Sequence, residues 1–157
     1  MAGGREGFHL ARLLERAKAD GIAYITVRGV IENDGKILLL KRADHYSITD
    51  MFELPGGRRW EREGIGGALR REIHEETGLE VSRITSILVS DDYVSRNGEP
   101  TRHIGFTVDV KPRDAIRLSP KEHNGYLWAS LHEASELPVA PRSLKVISAF
   151  AEILRTA

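Results

Sequence analysis

The sequence predicts an α+β fold on a mixed β-sheet, and three observations carry that expectation. Strand-like segments rich in β-branched residues return on one another through short turns, most plainly at Asn33-Asp34-Gly35. Helical segments are interspersed among the strands without a regular βαβαβ alternation, so a doubly wound sheet is not expected. The chain has 157 residues, of which 41% are hydrophobic and 29% charged, which suits one domain with one core spanning residues 1–157.

Taken in order, residues 8–19 place Leu10, Leu13, Leu14 and Ala17 at helical spacing, and Asp20-Gly21 supplies the stop of an N-terminal helix within residues 1–20. Residues 22–31 read as a strand. After the Asn33-Asp34-Gly35 turn, residues 36–41 return as a second strand whose run Ile37, Leu38, Leu39, Leu40 implies burial on both faces. Residues 43–51 are polar and loop-like. Phe52-Glu53-Leu54 leads into the chain breaker Pro55-Gly56-Gly57. Residues 68–77 read as a helix with Gly78 just past its end and a start near Gly64, where Gly64, Gly66 and Gly67 each weaken the first turn by up to about 1 kcal/mol relative to Ala. Strands are expected over 83–89 and 101–110, flanking an Arg96-Asn97-Gly98 turn, and over 125–129. Ser130 and Glu133 form a capping-box pattern for a short helix. The last helix, 143–154, carries Leu144, Ile147, Ala151 and Leu154 on one face.

Charge and composition exclude several classes. Lys and Arg total 23 and so do Asp and Glu, so net charge is zero. That balance argues against a protein dominated by nucleic-acid or membrane electrostatics, but not against small anions. Cysteine is absent, so any metal must take oxygen or nitrogen ligands. No apolar run approaches the roughly 20 residues of a membrane span, and the N-terminus lacks the pattern of a secretory signal. A cytoplasmic location is the expectation.

The chemistry concentrates in residues 57–79. Glu72, Glu75 and Glu76 stand at i, i+3 and i+4, neighbouring positions on a helix. Carboxylates this close repel one another and ionise together only around a cation. Oxygen ligands favour Mg²⁺, with Mn²⁺ as a substitute, and Mg²⁺ takes its remaining ligands from waters and substrate phosphates. Gly56 and Gly57 bring bare backbone near the helix, where a carbonyl can ligate. Arg71 adjoins the acids, and Glu63 joins them if the loop after Gly57 folds back. A solvated acidic face neutralised by Arg70 and Arg71 is the alternative that the carboxylates alone leave open.

The spacing of the whole segment weighs against that alternative. It matches G-x5-E-x7-R-E-U-x-E-E-x-G-U, with U aliphatic, at Gly57, Glu63, Arg71, Glu72, Ile73, Glu75, Glu76, Gly78 and Leu79. At average residue frequencies the seven fixed letters would arise in this length by chance on the order of once in a million. The pattern is the signature of the Nudix hydrolases, and the chain resembles a MutT-like member. Residues 27–42, ending in Leu-Leu-Lys-Arg, and Leu54-Pro55-Gly56-Gly57 resemble the family's lead-in to this box; after residue 90 the likeness is one of outline. Gly64 departs from the Ser or Thr common there, which implies a looser start to the helix.

The resemblance implies an α/β/α sandwich with a mixed sheet and hydrolysis of a nucleoside diphosphate linked to another group. Glu72, Glu75 and Glu76 with the Gly56 carbonyl would hold Mg²⁺, Arg71 would orient the glutamates, and Glu63 would support the loop. The general base is left between Glu72 and Glu122. Arg58, Arg42 and Gly57 are candidates for phosphate contact, with Arg28, Arg102 and His103 behind them. Tyr46, Trp60, Tyr93, Phe106 and Tyr126 are candidates for stacking on a base, and residues 43–51 and 91–100 for lining the pocket. The length favours a nucleoside triphosphate substrate, ordinary or oxidised, over ADP-ribose or a nucleotide sugar. A catalytically silent nucleotide sensor and an enzyme acting on RNA ends are the remaining alternatives; the first conflicts with the intact box and the second with zero net charge. The N-terminal helix is expected to pack on the domain, in a monomer or a homodimer.

Overall fold

A computed structural model describes residues 2–43, 50–111 and 115–156. The elements run α1 (Ala2–Ala19), β1 (Tyr24–Asn33), β2 (Lys36–Arg42), β3 (Phe52–Glu53), β4 (Gly56–Arg58), α2 (Ile65–Thr77), β5 (Glu80–Val94), β6 (Pro100–Lys111), β7 (His123–Ser130), α3 (Leu131–Glu136) and α4 (Pro141–Thr156). Among the described residues seven strands form a sheet in the order β3-β2-β1-β6-β5, with β4 also on β1 and β7 also on β2. The β1–β6 pair is parallel and every other pair of strands antiparallel, so the sheet is mixed as expected. The β1–β2 hairpin turns where the sequence indicates. Asp34 and Gly35 have φ of 52° and 75°, the left-handed pair that a two-residue turn requires.

Two apolar layers sandwich the sheet. On one side Leu10 and Ala17 of α1 and Ile65, Leu69 and Ile73 of α2 meet Ile25, Val27, Ile104 and Phe106. On the other side Val146, Ile147 and Phe150 of α4 meet Val30, Leu54 and Val139. Leu38 and Leu40 join the first layer, and Ile37 and Leu39 the second, which explains the uninterrupted apolar run in β2. Each Val, Leu, Ile or Phe among them contributes about 1.5–3 kcal/mol relative to exposure.

Two elements differ from the sequence pattern. The last helix buries Ser143, Val146, Ile147 and Phe150, whereas Leu144 and Leu154 are exposed. Its seam is set by β6, where Gly105 leaves room for Val146: a Cβ there would stand 2.5 Å from the valine methyl. Strand β5 is also longer than the apolar span over 83–89. It pairs with β6 as far as Val94↔Pro100 and is broken by three register shifts. As an edge strand with many exposed residues it lacks the hydrophobic alternation that would reveal its length.

Of the glycines at the start of α2, Gly66 serves packing, whereas Gly64 and Gly67 face open space. Gly64 is the N-cap without a side-chain bond. At Gly66 a Cβ would stand 3.0 Å from Leu10 Cδ1, so the bare backbone receives α1. Glu6 fastens the same joint: one oxygen accepts from Arg70 at 2.6 Å and the other from the Ile84 amide at 2.9 Å.

Candidate metal and phosphate site

Strand β4 pairs antiparallel with β1, placing Gly56 opposite Arg28 and Gly57 opposite Val27. Gly56 has φ of 151°, and a Cβ there would lie 1.9 Å from the Val27 carbonyl oxygen, so only glycine fits. Its amide donates to Oε1 of Glu76 at 2.8 Å, tying the loop to α2.

Arg71 organises the acids. It donates to Glu63 through Nε and Nη2 at 2.6 and 2.8 Å, to Glu72 at 3.0 Å and to Glu75 at 3.3 Å through Nη1, and to the Arg58 carbonyl at 3.0 Å. The guanidinium also lies over the Trp60 ring, 3.6 Å from its centroid. The loop after Gly57 therefore folds back onto α2, with Glu63 against Arg71. The hydrogen bonds from Arg71 hold the Glu63 carboxyl below its usual range, and the same pairing raises Arg71 further above its ordinary value.

The three helical acids separate in environment. Glu76 is 2% exposed and Glu72 is largely buried, whereas the Glu75 side chain is 48% exposed and held by Arg71. At about 100° per residue, Glu72 and Glu76 lie about 40° apart around the helix and Glu75 falls about 60° to the other side of Glu72. Glu72 and Glu76 face a cleft of about 520 Å³ together with Glu122, and Arg28, Arg42, Arg58 and Arg96 give it a positive rim. Burial raises the Glu72 carboxyl against the pull of Arg71. It pushes Glu76 up to about 9, the proximity of Glu72 and Glu122 adding to it while Arg28 and the Gly56 amide oppose.

This donor set fits a divalent cation. Glu76, raised by burial and by the nearby Glu72 and Glu122, and Glu72, raised by burial and by Glu75 and Glu122, want positive charge that no side chain supplies in full, and a dication reverses that penalty. Glu72, Glu76 and the Gly56 carbonyl offer oxygen atoms only, the choice of a hard ion.

A second buried group adjoins the first and was not read from the sequence. His123 begins β7, and its Nε2 lies 2.8 Å from Oε1 of Glu53 while its Nδ1 lies 3.3 Å from Oε2 of Glu76. Glu53, Glu76 and His123 converge closely enough to hold a metal ion. Arg42 donates to Oε2 of Glu53 at 3.0 Å, and Arg28 stands 3.7 Å from that oxygen. Burial alone would raise Glu53; the His123 hydrogen bond and the two arginines hold it down at about 2. The one signal in the sequence was a charged residue between Phe52 and Leu54.

The remaining candidates scatter. Arg58 lies over the Tyr24 ring at 3.4 Å with access to the cleft. Arg28 donates to the Leu54 carbonyl at 2.9 Å and, at 3.4 Å, to that of Gly56. Arg102 is committed to Asp92 and Asp20. His103 is 1% exposed, neither ring nitrogen has a hydrogen-bond partner among the described residues, and burial beside Arg28 and Arg142 lowers it to about 4. Phe106 is core, Tyr93 carries Arg142 over its ring, and Tyr126 is exposed. Tyr46 and most of the 43–51 loop lie outside the described residues.

An α/β/α sandwich whose box helix presents buried acids to an arginine-rimmed cleft defines a hydrolase of phosphate anhydrides. The NUDIX domain profile matches residues 23–150, and the chain belongs to the Nudix hydrolase family, whose members use a divalent metal. It is 32% identical over 125 residues to the CTP pyrophosphohydrolase of Escherichia coli, covering 79% of this chain and 88% of that one. It is 40% identical over 89 residues to the ADP-ribose pyrophosphatase of Methanocaldococcus jannaschii, covering 55% of this chain and 50% of that one. The solution structure of the E. coli ORF135 protein superposes with a TM-score of 0.73 at 26% identity, over 86% of this chain and 93% of that chain. The chain is thus a Nudix hydrolase. No helix among the described residues is long and apolar enough to cross a membrane.

Proposed function

We propose that this enzyme hydrolyses a nucleoside triphosphate to the monophosphate and pyrophosphate with Mg²⁺, and that Glu72, Glu76 and the Gly56 carbonyl hold the ion. The observation that carries this reading is the pairing of buried Glu76 with the partly buried Glu72 in a cleft rimmed by Arg28, Arg42, Arg58 and Arg96. Acids at the floor and guanidinium groups at the rim match a polyphosphate carried by a dication. When bound, the cation neutralises the phosphate oxygens and lowers the cost of forming a nucleophile from water.

The chain's own groups do the rest. Arg58 and Arg42 take phosphate charge at the rim, and the Gly57 backbone admits the substrate close to α2. Arg71 fixes Glu72 and Glu75 before substrate arrives, and Glu63 holds Arg71 in place, so little reorganisation is left for the reaction. A general base accepts the proton of the attacking water. Glu72 and Glu122 both face the cleft, and burial raises Glu72 toward the range a base needs near neutral pH. The similarity to a CTP pyrophosphohydrolase over most of both chains supports a triphosphate substrate. The higher identity to an ADP-ribose pyrophosphatase covers only about half of each chain, and it supports ADP-ribose as the second reading.

A nucleotide panel with and without Mg²⁺ tests the proposal. Release of monophosphate and pyrophosphate from a triphosphate is the expected result. Release of AMP and ribose 5-phosphate from ADP-ribose would favour the second reading, and tight binding without turnover would identify a sensor.

A further inference from the structure

We propose that His123, held by Glu53, is a positioning residue that aims the Glu76 carboxylate at the cation, an inference that rests on the divalent-metal reading of the site. Glu76 projects from α2 and has two oxygens to orient. Oε1 is fixed by the Gly56 amide at 2.8 Å. Oε2 faces Nδ1 of His123 at 3.3 Å, and that nitrogen is buried with no hydrogen-bond partner among the described residues. An unpartnered buried ring nitrogen costs about 1–3 kcal/mol, and the Glu76 oxygen is the acceptor or donor within reach.

The imidazole cannot turn away. Its other nitrogen is bound to Glu53 at 2.8 Å, and Glu53 is itself clasped by Arg42 from β2. The relay spans β2, β3, β7 and α2, so the sheet itself sets the ring plane. With one oxygen bound by a backbone amide and the other facing the ring nitrogen at 3.3 Å, the Glu76 carboxylate is held from two sides beside the cleft that it lines. That outcome is the same whichever of the two atoms carries the proton between them, so the role is directional. Residues that orient a metal ligand from behind change metal affinity by about 10–100-fold when removed.

Two amide substitutions separate the two contacts. Asn places its side-chain amide near the Nδ1 position and Gln near Nε2, and an amide donates or accepts by flipping. His123→Asn therefore keeps the contact with Glu76, and His123→Gln keeps only the one with Glu53. Binding of Mn²⁺ alone, followed by electron paramagnetic resonance on the full chain without nucleotide, reads the effect directly. We expect His123→Gln to weaken Mn²⁺ binding about 10-fold or more and His123→Asn to weaken it much less, out of step with their thermal midpoints. Glu53→Gln keeps an acceptor for Nε2 but loses the grip of Arg42, and a smaller weakening is expected there; it serves if the histidine variants do not fold. Unchanged affinity in His123→Gln, or in Glu53→Gln where that variant stands alone, overturns the inference, as does equal loss in the Asn and Gln variants. A nitrogen coupling in the Mn²⁺ spin-echo spectrum also overturns it, because the ring would then be a direct ligand. Failure of the wild-type protein to bind Mn²⁺, with Glu76→Gln indistinguishable from it, defeats the metal reading itself and is told apart by that control.

Discussion

Gly57 leaves open the space that the Glu72 carboxyl group fills: a Cβ on Gly57 would stand 2.6 Å from Cδ of Glu72. The neighbour is the end of a flexible side chain, so Gly57→Ala displaces the carboxylate while the fold survives. Turnover should fall about 10–100-fold, as for other disturbances around a metal ligand, with a thermal midpoint close to wild type. Gly56→Ala behaves differently. Its Cβ meets the Val27 carbonyl oxygen at 1.9 Å, a backbone atom that cannot swing aside, and the protein should fail to accumulate in folded form. Failure of Gly57→Ala to accumulate in folded form, as expected of Gly56→Ala, would refute the distinction.

Glu76 couples metal to protons. In the metal-free protein its carboxyl is pushed up to about 9 by burial, against an ordinary value of 4.5. The folded state then binds a proton that the unfolded state releases. This contribution to stability is fully present below the ordinary value and is lost as pH rises through about 9. Metal-free protein should therefore lose stability across that window in denaturant titrations, and Glu76→Gln should flatten the slope. At pH 7, Mg²⁺ binding should release protons, seen as a buffer-dependent calorimetric heat. In turnover, Glu76→Gln should cost at least about 100-fold, the scale of losing one charge-stabilising group.

Arg71 serves Glu63, Glu72 and Glu75 at once and stacks on Trp60. Lysine cannot reproduce a planar fork with a stacked face. Arg71→Lys should lower turnover about 10-fold or more and raise the Mg²⁺ requirement. Trp60→Ala, which removes only the stacking face, should cost less than about 2 kcal/mol in stability. Full activity of Arg71→Lys at low Mg²⁺ would show that the acids hold their places unaided.

Glu72→Gln and Glu122→Gln assign the base. If Glu122 takes the proton, its variant should lose turnover about 100-fold or more with Mn²⁺ binding intact. If Glu72 does, the Glu122 variant should fall only a few-fold, and the Glu72 variant should lose metal and turnover together.

The sequence exposed features that are local. The β1–β2 turn, the capping box of Ser130 with Glu133 and the extent of α2 each follow from a few neighbouring residues, and each is present. The spacing of Glu63, Arg71 and Glu72 was equally plain, and the loop does bring Glu63 to Arg71. Long-range features were hidden. Glu53 and His123 are 70 positions apart and meet only because β3 and β7 both pair with β2. The apolar face of α4 legible in the sequence differs from the side it buries, because Gly105, on a distant strand, admits Val146 while Leu144 stays exposed. Position on the helix hid the third distinction: i+3 and i+4 both look adjacent in the chain, yet Glu75 meets solvent and Glu76 does not.

The notch at Gly66 seats α1 on the helix that carries the acids. Leu10 rests against bare backbone in the first turn of the helix whose later turns carry Glu72 and Glu76. That first turn has no side-chain cap and contains two glycines, so α1 adds support to what Ile65, Ala68 and Leu69 gain from the core. Loosening of α1 would fray the helix from its front end toward the acids, and whatever grips α1 from outside would tighten them.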